Sequence, residues 1–204
     1  MQALHLLPIS LNLQDKRCVV VGGGSGAEKR VRSLLACGAA VQVVSPALTP
    51  GLAALAQQGA ILWTPDTLRP EVLDAAFVVF VVTHDQQTNA HVARLARQHG
   101  CLVNVADDPA HCDFYMPAVV RRNHLTLAIS TEGQAPGFAA WLRSRFERLL
   151  SPQLGDAVAR YARLRPGMQQ RYPDLQARAQ AWEQLLTAEA PRVFQVRGSE
   201  RTMA

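Results

Sequence analysis

The chain has 204 residues, 49% of them hydrophobic and 18% charged, with a formal net charge of +5; that is enough for a sizeable core in one α/β domain plus an appendage. No apolar run reaches the ~18 residues a membrane span needs, and residues 1–14, broken by Pro8 and Asn12 and without a basic start, do not read as a signal peptide. Cys18, Cys37, Cys101 and Cys112 form no C-x-x-C pair, which points to a reduced, cytoplasmic protein without structural zinc.

Residues 6–13 alternate apolar and polar from Ile9 onward and predict a short antiparallel edge strand. Asp15-Lys16-Arg17 turns into Cys18-Val19-Val20-Val21, whose unbroken apolar, mostly β-branched run predicts a buried parallel strand. Gly22-x-Gly24-x-x-Ala27 follows at once, and residues 28–35 read as a helix ending at Gly38. Strand, glycine turn and helix in this order fit the dinucleotide fingerprint in its G-x-G-x-x-A form. Gly22 allows the tight turn, Gly24 leaves room for a pyrophosphate, Ala27 lets the helix pack close, and the helix N-terminus offers N–H groups to phosphate.

The second strand, 41–46, ends on Ser45-Pro46. An NAD fingerprint usually places Asp or Glu about 20 residues past the glycines, on the ribose 2′-hydroxyl. Ser45 stands there instead, so the ribose contact falls to a hydroxyl or to backbone, and NAD and NADP are not separated by this feature. A short helix at 48–58, a strand at 61–63 and a helical turn at 71–75 come next. Residues 77–83 form the clearest strand of all, ending at Thr83; a helix covers 88–99, and a fifth strand, 101–106, ends at Asp107-Asp108-Pro109. The alternation predicts a doubly wound parallel sheet with ligands outside the strand C-termini, where Ser45, Thr83 and Asp107 lie.

The texture changes near residue 116. Residues 116–120 and 125–130 predict a hairpin around Arg121-Arg122-Asn123-His124. A polar loop carrying Ser130, Thr131 and Gly133 leads to a helix at 137–150, and helical patterns occupy 154–164 and 175–187. Residues 197–204 read as frayed. Charge divides at the same place: residues 1–116 hold 8 Lys and Arg against 9 acidic residues, whereas 117–204 hold 13 Arg, no Lys and 7 acidic residues, a net +6. An Arg-only excess suits fixed contacts to carboxylate or phosphate, or else is a solvated helical face.

Asp107 sits where a substrate meets a nicotinamide and could serve as a general base; Asp-Asp-Pro is also ordinary turn chemistry. His111, Cys112 and Asp113 are metal-capable types, but chain neighbours in an extended loop point apart, so no metal site is expected. His84, His91 and His99 read as surface residues and His124 as a turn residue. Ser130, Thr131 and Gly133 offer hydroxyls and N–H groups to an anion, or cap the next helix. Arg145 and Arg148 lie at i, i+3 and could face one ligand.

Taken together, the motifs resemble one family. Val20-Val21-Gly22-Gly23-Gly24 with Ala27 and Lys29-Arg30, Val44-Ser45-Pro46, Thr83-x-Asp85 with Asn89, Asn104-Val105-x-Asp107-x-Pro109, Phe114-x-Met116-Pro117 and Ile129-Ser130-Thr131-x-Gly133-x-x-Pro136 follow the order and spacing of the precorrin-2 dehydrogenase/sirohydrochlorin ferrochelatase family, the N-terminal module of siroheme synthases. The resemblance runs from about residue 7 to 150, and more loosely to 186. It implies NAD-dependent oxidation of precorrin-2 to sirohydrochlorin, and in many members insertion of Fe2+ to give siroheme. It also implies a Rossmann-type NAD domain at 1–115, a small α+β dimerisation segment at 116–150, a helical C-terminal domain at 151–204, and a homodimer. Asp107 matches the family's catalytic aspartate, Asp108 remaining a turn residue; Ser25-Gly26 and Pro46-Ala47 match its NAD contacts. The substrate's eight carboxylates would suit the Arg-rich half.

The chain departs from the pattern at Gly26, where Val is usual, and at Glu132 and Ala135, where Gly and Ser are frequent. Some members carry a modified serine at the position of Thr131. Two other readings stay open: a dehydrogenase of another anionic small molecule, and a non-catalytic NAD-sensing module. The second half has no recognisable helix-turn-helix pattern and few aromatic residues for base stacking, so nucleic acid is not an expected partner.

Overall fold

A computed structural model describes residues 5–193, with side chains to residue 189. The chain divides into two compact units that meet between Tyr115 and Met116.

In the first unit five parallel strands, β1 (Arg17–Val21), β2 (Ala40–Val44), β3 (Leu62–Thr64), β4 (Val78–Val81) and β5 (Leu102–Val105), lie in the order β3-β2-β1-β4-β5. Helices α1 (Ser25–Leu35), α2 (Pro50–Gln57) and α3 (Gln86–Gln98) connect them, with a 3-10 turn at Pro70–Leu73. The strand direction of sequence travel reverses between β1 and β4, which puts the topological switch point beside the glycine turn.

The alternation of side chains along a strand builds two cores from one sheet. Cys18 and Val20 of β1, with Val41, Val43, Val78 and Phe80, face Ala27, Val31 and Leu34 of α1 and Leu52 of α2. Val19 and Val21, with Val44, Val79, Val81, Val103 and Val105, face Val92, Ala93 and Ala96 of α3 and Leu73. Burial on both faces explains why β1 and β4 read as continuous apolar runs.

The expected N-terminal edge strand is absent. Residues 5–13 pair with no strand, and Leu7 and Ile9 stand 83% and 70% exposed. Alternation alone gave these residues no face to cover. Leu13 alone reaches the core, and the following turn is tied by Asp15 N–H to Gly38 O and Lys16 N–H to Leu13 O. The outer edge of β5 is covered instead by residues 108–114, folded back along it; Asp113 N–H donates to Val103 O and its carboxylate accepts Val103 N–H.

The second unit holds an antiparallel hairpin, β6 (Ala118–Arg122) and β7 (Leu125–Ile129), then α4 (Pro136–Leu149), α5 (Pro152–Arg171) and α6 (Leu175–Val193). The ladder runs through Arg121 and Arg122, further than expected, because Asn123 takes φ +49° and makes a two-residue turn with His124. Arg122 crosses to α4 and donates to Leu150 O at 2.8 Å and to Glu147 O, satisfying carbonyls at the helix C-terminus. Residue 151 opens α5, which packs on this hairpin: a Cβ on Gly155 would lie 2.1 Å from Arg122 O. The helix continues through Pro166, past the expected stop at 164. Residues 197–204 lie outside the described residues.

Candidate functional site

The C-terminal edge of the five-stranded sheet gathers the glycine turn, Ser45, Thr83 and Asp107. The glycines there have separate tasks. Gly22 takes φ +121°, and a Cβ on it would lie 2.3 Å from Val82 O, so the tight turn admits no side chain. Gly23, the x of Gly22-x-Gly24, is pressed harder still: its Cβ would stand 1.8 Å from Ala47 O. Gly24 is the opposite case. A Cβ there would meet nothing within 4 Å, and Gly24 caps α1 with no side-chain hydrogen bond.

The first-turn N–H groups of α1, at Ser25 and Gly26, therefore open onto free space at the positive end of a helix. This is a cradle that fits a dinucleotide pyrophosphate. The space at Gly26 is shaped by Val82, whose Cγ1 would lie 2.9 Å from an added Cβ. Ala27 is fully buried, as close helix packing requires.

The β2–α2 loop is tied to this turn. Thr49 N–H donates to Gly23 O, and the Thr49 hydroxyl donates to Glu28 Oε2 at 2.5 Å while accepting Leu52 N–H at the start of α2. Arg32 holds the other Glu28 oxygen at 2.7 Å. These bonds from Thr49, then Arg32, lower the Glu28 pKa. Ser45 is only 8% exposed, its hydroxyl donating to Ala47 O at 2.8 Å and its carbonyl accepting the Trp63 indole N–H at 3.0 Å. With that proton committed, the Pro46-Ala47 backbone is what this loop offers a ribose.

Thr83 donates from its hydroxyl to Asn89 Oδ1 at 2.6 Å, and Asn89 Nδ2 returns to Thr83 O at 3.2 Å. Asp85 caps α3 by accepting the N–H groups of Gln87 and Thr88, and the Thr88 hydroxyl first, then these N–H groups, lower its pKa.

Asp107 follows β5 with φ +58°, the left-handed region that Asp tolerates better than most residues. It is exposed, and its carboxylate accepts no hydrogen bond among the described residues. The turn around it is heavily restrained. Cys112 Sγ accepts Val105 N–H at 3.2 Å and lies 3.3 Å from Asp108 O; burial first of all pushes this thiol's pKa up. Asp108 Oδ2 meets His111 Nδ1 at 2.7 Å, and Asn104 Nδ2 donates to Phe114 O at 2.9 Å. Thus His111, Cys112 and Asp113 turn to three different partners, Asp113 pairing with Arg97 at 2.9 Å. His84 and His91 are exposed; His99 lies 3.1 Å from Asp74.

In the second unit the Ser130 hydroxyl accepts Glu132 N–H and the Thr131 hydroxyl accepts Ala135 N–H, both at 3.1 Å. Glu132 and Gly133 take φ +54° and +78°. The two hydroxyls shape the turn ahead of α4, and each retains its own proton to donate. Arg145 and Arg148 are exposed on α4, Arg145 lying 5.0 Å over the Trp141 ring.

Several residues that build the site escaped the sequence reading. Three successive glycines were the available signal for Gly23. The links from Glu28 to Thr49 and from Cys112 to β5 join positions 21 and 7 apart in the chain and carry no local pattern.

Comparison with known proteins agrees with this geometry. The family described as NAD(P)-binding matches residues 9–118, and the family described as sirohaem biosynthesis protein central matches residues 122–149. Siroheme synthase 1 of Aeromonas salmonicida is 42% identical over 186 residues, covering 91% of this chain and 40% of the relative. Siroheme synthase of Chromobacterium violaceum is 37% identical over 183 residues, covering 90% and 39%. The chain thus spans about two fifths of the length of these relatives. The solved structure of SirC, precorrin-2 dehydrogenase, superposes with a TM-score of 0.71 at 24% identity, covering 90% of this chain and 89% of that one, a likeness of fold. The chain belongs to the family of NAD(P)-binding modules that carry the sirohaem biosynthesis central segment.

Proposed function

We propose that this chain oxidises precorrin-2 to sirohydrochlorin with NAD as hydride acceptor, and that the same protein then inserts Fe2+, its second substrate, to give siroheme. The observation that carries the reading is Asp107: an exposed carboxylate, held in a left-handed turn, on the same sheet edge as a glycine cradle that fits a dinucleotide.

In this reading the N–H groups at Gly24, Ser25 and Gly26 hold the pyrophosphate, Gly22 makes the tight turn, Gly24 leaves room for the phosphates, and the Ser45-Pro46-Ala47 loop carries the adenosine ribose. Thr83 borders the nicotinamide end. NAD, when bound, supplies the hydride-accepting carbon. Asp107 takes the proton that leaves the macrocycle during oxidation, and takes pyrrole protons when Fe2+ enters. No resident metal is needed, since the macrocycle supplies the nitrogen ligands. Ser130, Thr131 and Gly133 donate to the substrate's carboxylates, and Arg145 and Arg148 pair with them.

The protein works in this reading as a cytoplasmic homodimer. Among the described residues no helix is long and apolar enough to cross a membrane, and none of the four cysteines is joined in a disulfide. The homodimer is supported by α4, where Phe138, Trp141 and Leu149 are 56%, 52% and 53% exposed and Phe138 stacks on Trp141 at 5.8 Å.

The test is incubation with precorrin-2 and NAD while NADH and sirohydrochlorin absorbance are followed, then addition of Fe2+. Coupled appearance of NADH and sirohydrochlorin is expected; their absence overturns the dehydrogenase reading. Unchanged sirohydrochlorin after Fe2+ overturns the chelatase reading alone.

A further inference from the structure

Arg30 lies on α1, one and a half turns past the glycine cradle, and is half-buried. Its guanidinium stacks 5.6 Å over the Phe80 ring, and Phe80 meets Phe114 edge-on at 5.6 Å. Phe80 pairs in register with Asn104, three residues before Asp107, and Asn104 holds the Phe114 carbonyl. Arg30 is thereby aimed at the β5 side of the sheet edge, away from the β2 loop.

Among the described residues no carboxylate lies within ion-pairing distance of this guanidinium, and no hydrogen bond satisfies it. The contrast with other arginines is plain. Arg32 is paired with Glu28, Arg97 with Asp113, and Arg17 is bound to Gln42 and two carbonyls. Burial lowers the Arg30 pKa most, while Cys112 and Asp107 raise it, so both groups stand near enough to sense its charge. A half-buried guanidinium held over an aromatic ring, with no ion pair or hydrogen bond among the described residues, is prepared for an anion.

We propose that Arg30 is a carboxylate-binding subsite beside Asp107, which anchors one acidic side arm of the tetrapyrrole and so fixes the macrocycle against that aspartate. The proposal rests on precorrin-2 as the substrate. A phosphate of the dinucleotide is the less fitting occupant, because the α1 N-terminus already provides for it and the groups that Arg30 neighbours are Phe80, Cys112 and Asp107.

The experiment compares the unmodified chain with Arg30→Gln and Arg30→Lys. Sirohydrochlorin affinity is measured by absorbance titration, NAD affinity separately, and precorrin-2 oxidation by KM and kcat across pH. Arg30→Gln should weaken sirohydrochlorin binding and raise KM about tenfold or more, as expected for loss of a charged hydrogen-bonding partner. NAD affinity should stay within about twofold, and Arg30→Lys should recover part of the loss as a point charge without the fork. Unchanged sirohydrochlorin affinity in Arg30→Gln overturns the subsite. So does an equal fall in NAD affinity, or a shift in the kcat pH profile without a change in KM, which would make Arg30 only an electrostatic neighbour of Asp107. Failure of the unmodified chain to oxidise precorrin-2 rejects the substrate reading separately, while the titrations still decide whether Arg30 binds the tetrapyrrole.

Discussion

The two units use apolar residues in opposite ways. The first buries them: both faces of its sheet are covered, and nearly all the buried apolar residues lie there. In the second, Val120, Ala139 and Leu154 are the buried hydrophobic side chains among the described residues, whereas Phe138, Trp141, Phe146 and Leu149 stand exposed along α4. One unit is a finished core that shapes a cofactor cradle at its edge. The other is a surface whose apolar helix face calls for a partner. The charge difference follows the same division, with every excess arginine in the second unit. The comparison teaches that cofactor binding should survive damage to the second unit, whereas assembly and substrate binding should not.

The largest expected effect is on the cradle itself. Gly22→Val would force a side chain into Val82 O at φ +121°; NAD binding measured by titration should be lost, while retained affinity would show that the turn is not the cradle. Next comes the core of the first unit. Leu73 is fully buried, and Leu73→Ala should cost about 2–5 kcal/mol in chemical denaturation. A cost below about 1 kcal/mol would mean that the first unit is less complete than described.

The same comparison is sharpened from the other side by Trp141→Glu. It should abolish the proposed homodimer in sedimentation while NAD affinity is kept; a dimer that persists in the variant would move the interface off α4. Charge reversal at Arg145 and Arg148 should weaken tetrapyrrole binding more than NAD binding in paired titrations, and equal losses would argue against an Arg-rich substrate surface.

The smallest effect concerns Glu28. Its folded pKa lies below the ordinary 4.5 because Thr49 and Arg32 bond its carboxylate. Stability from these bonds is fully present above the unfolded pKa and is lost as pH falls through the lowered folded value. Thermal melts should therefore show Glu28→Gln less stable than the unmodified chain near neutrality and equal to it in strong acid. A difference that persists in acid would assign the effect to shape rather than charge.

How far the molecule could be read in advance depended on how local each determinant was. The strand–glycine–helix unit was legible because an apolar β-branched run, Gly22-x-Gly24-x-x-Ala27 and a helical pattern follow one another within twenty residues, although the contact that forbids a side chain at Gly22 comes from Val82. The five parallel strands followed from the alternation of short, mostly apolar runs with helical patterns. Residues 6–13 misled because alternation describes a strand only when a neighbouring strand is available, and none is. The hairpin was placed correctly but cut short, since Arg121 and Arg122 look like turn residues until Asn123 is seen to take the positive φ. Ser45 was correctly noticed as a replacement for an acidic residue, yet its hydroxyl turns to Ala47, a choice set by Gly23 and Trp63 from other parts of the chain. The restraint of Asp107 by Cys112 and the isolation of Arg30 arise only when β5, α1 and residues 108–114 are brought together.

The central claim is that Asp107, placed on the cofactor edge, performs the proton chemistry. Asp107→Asn tests it most directly, because Asn tolerates the same left-handed backbone but lacks the carboxylate. The account predicts NAD and sirohydrochlorin affinities close to those of the unmodified chain, with NADH formation from precorrin-2 lowered by about a hundredfold or more. Turnover at the unmodified rate, with both ligands bound normally, would contradict it.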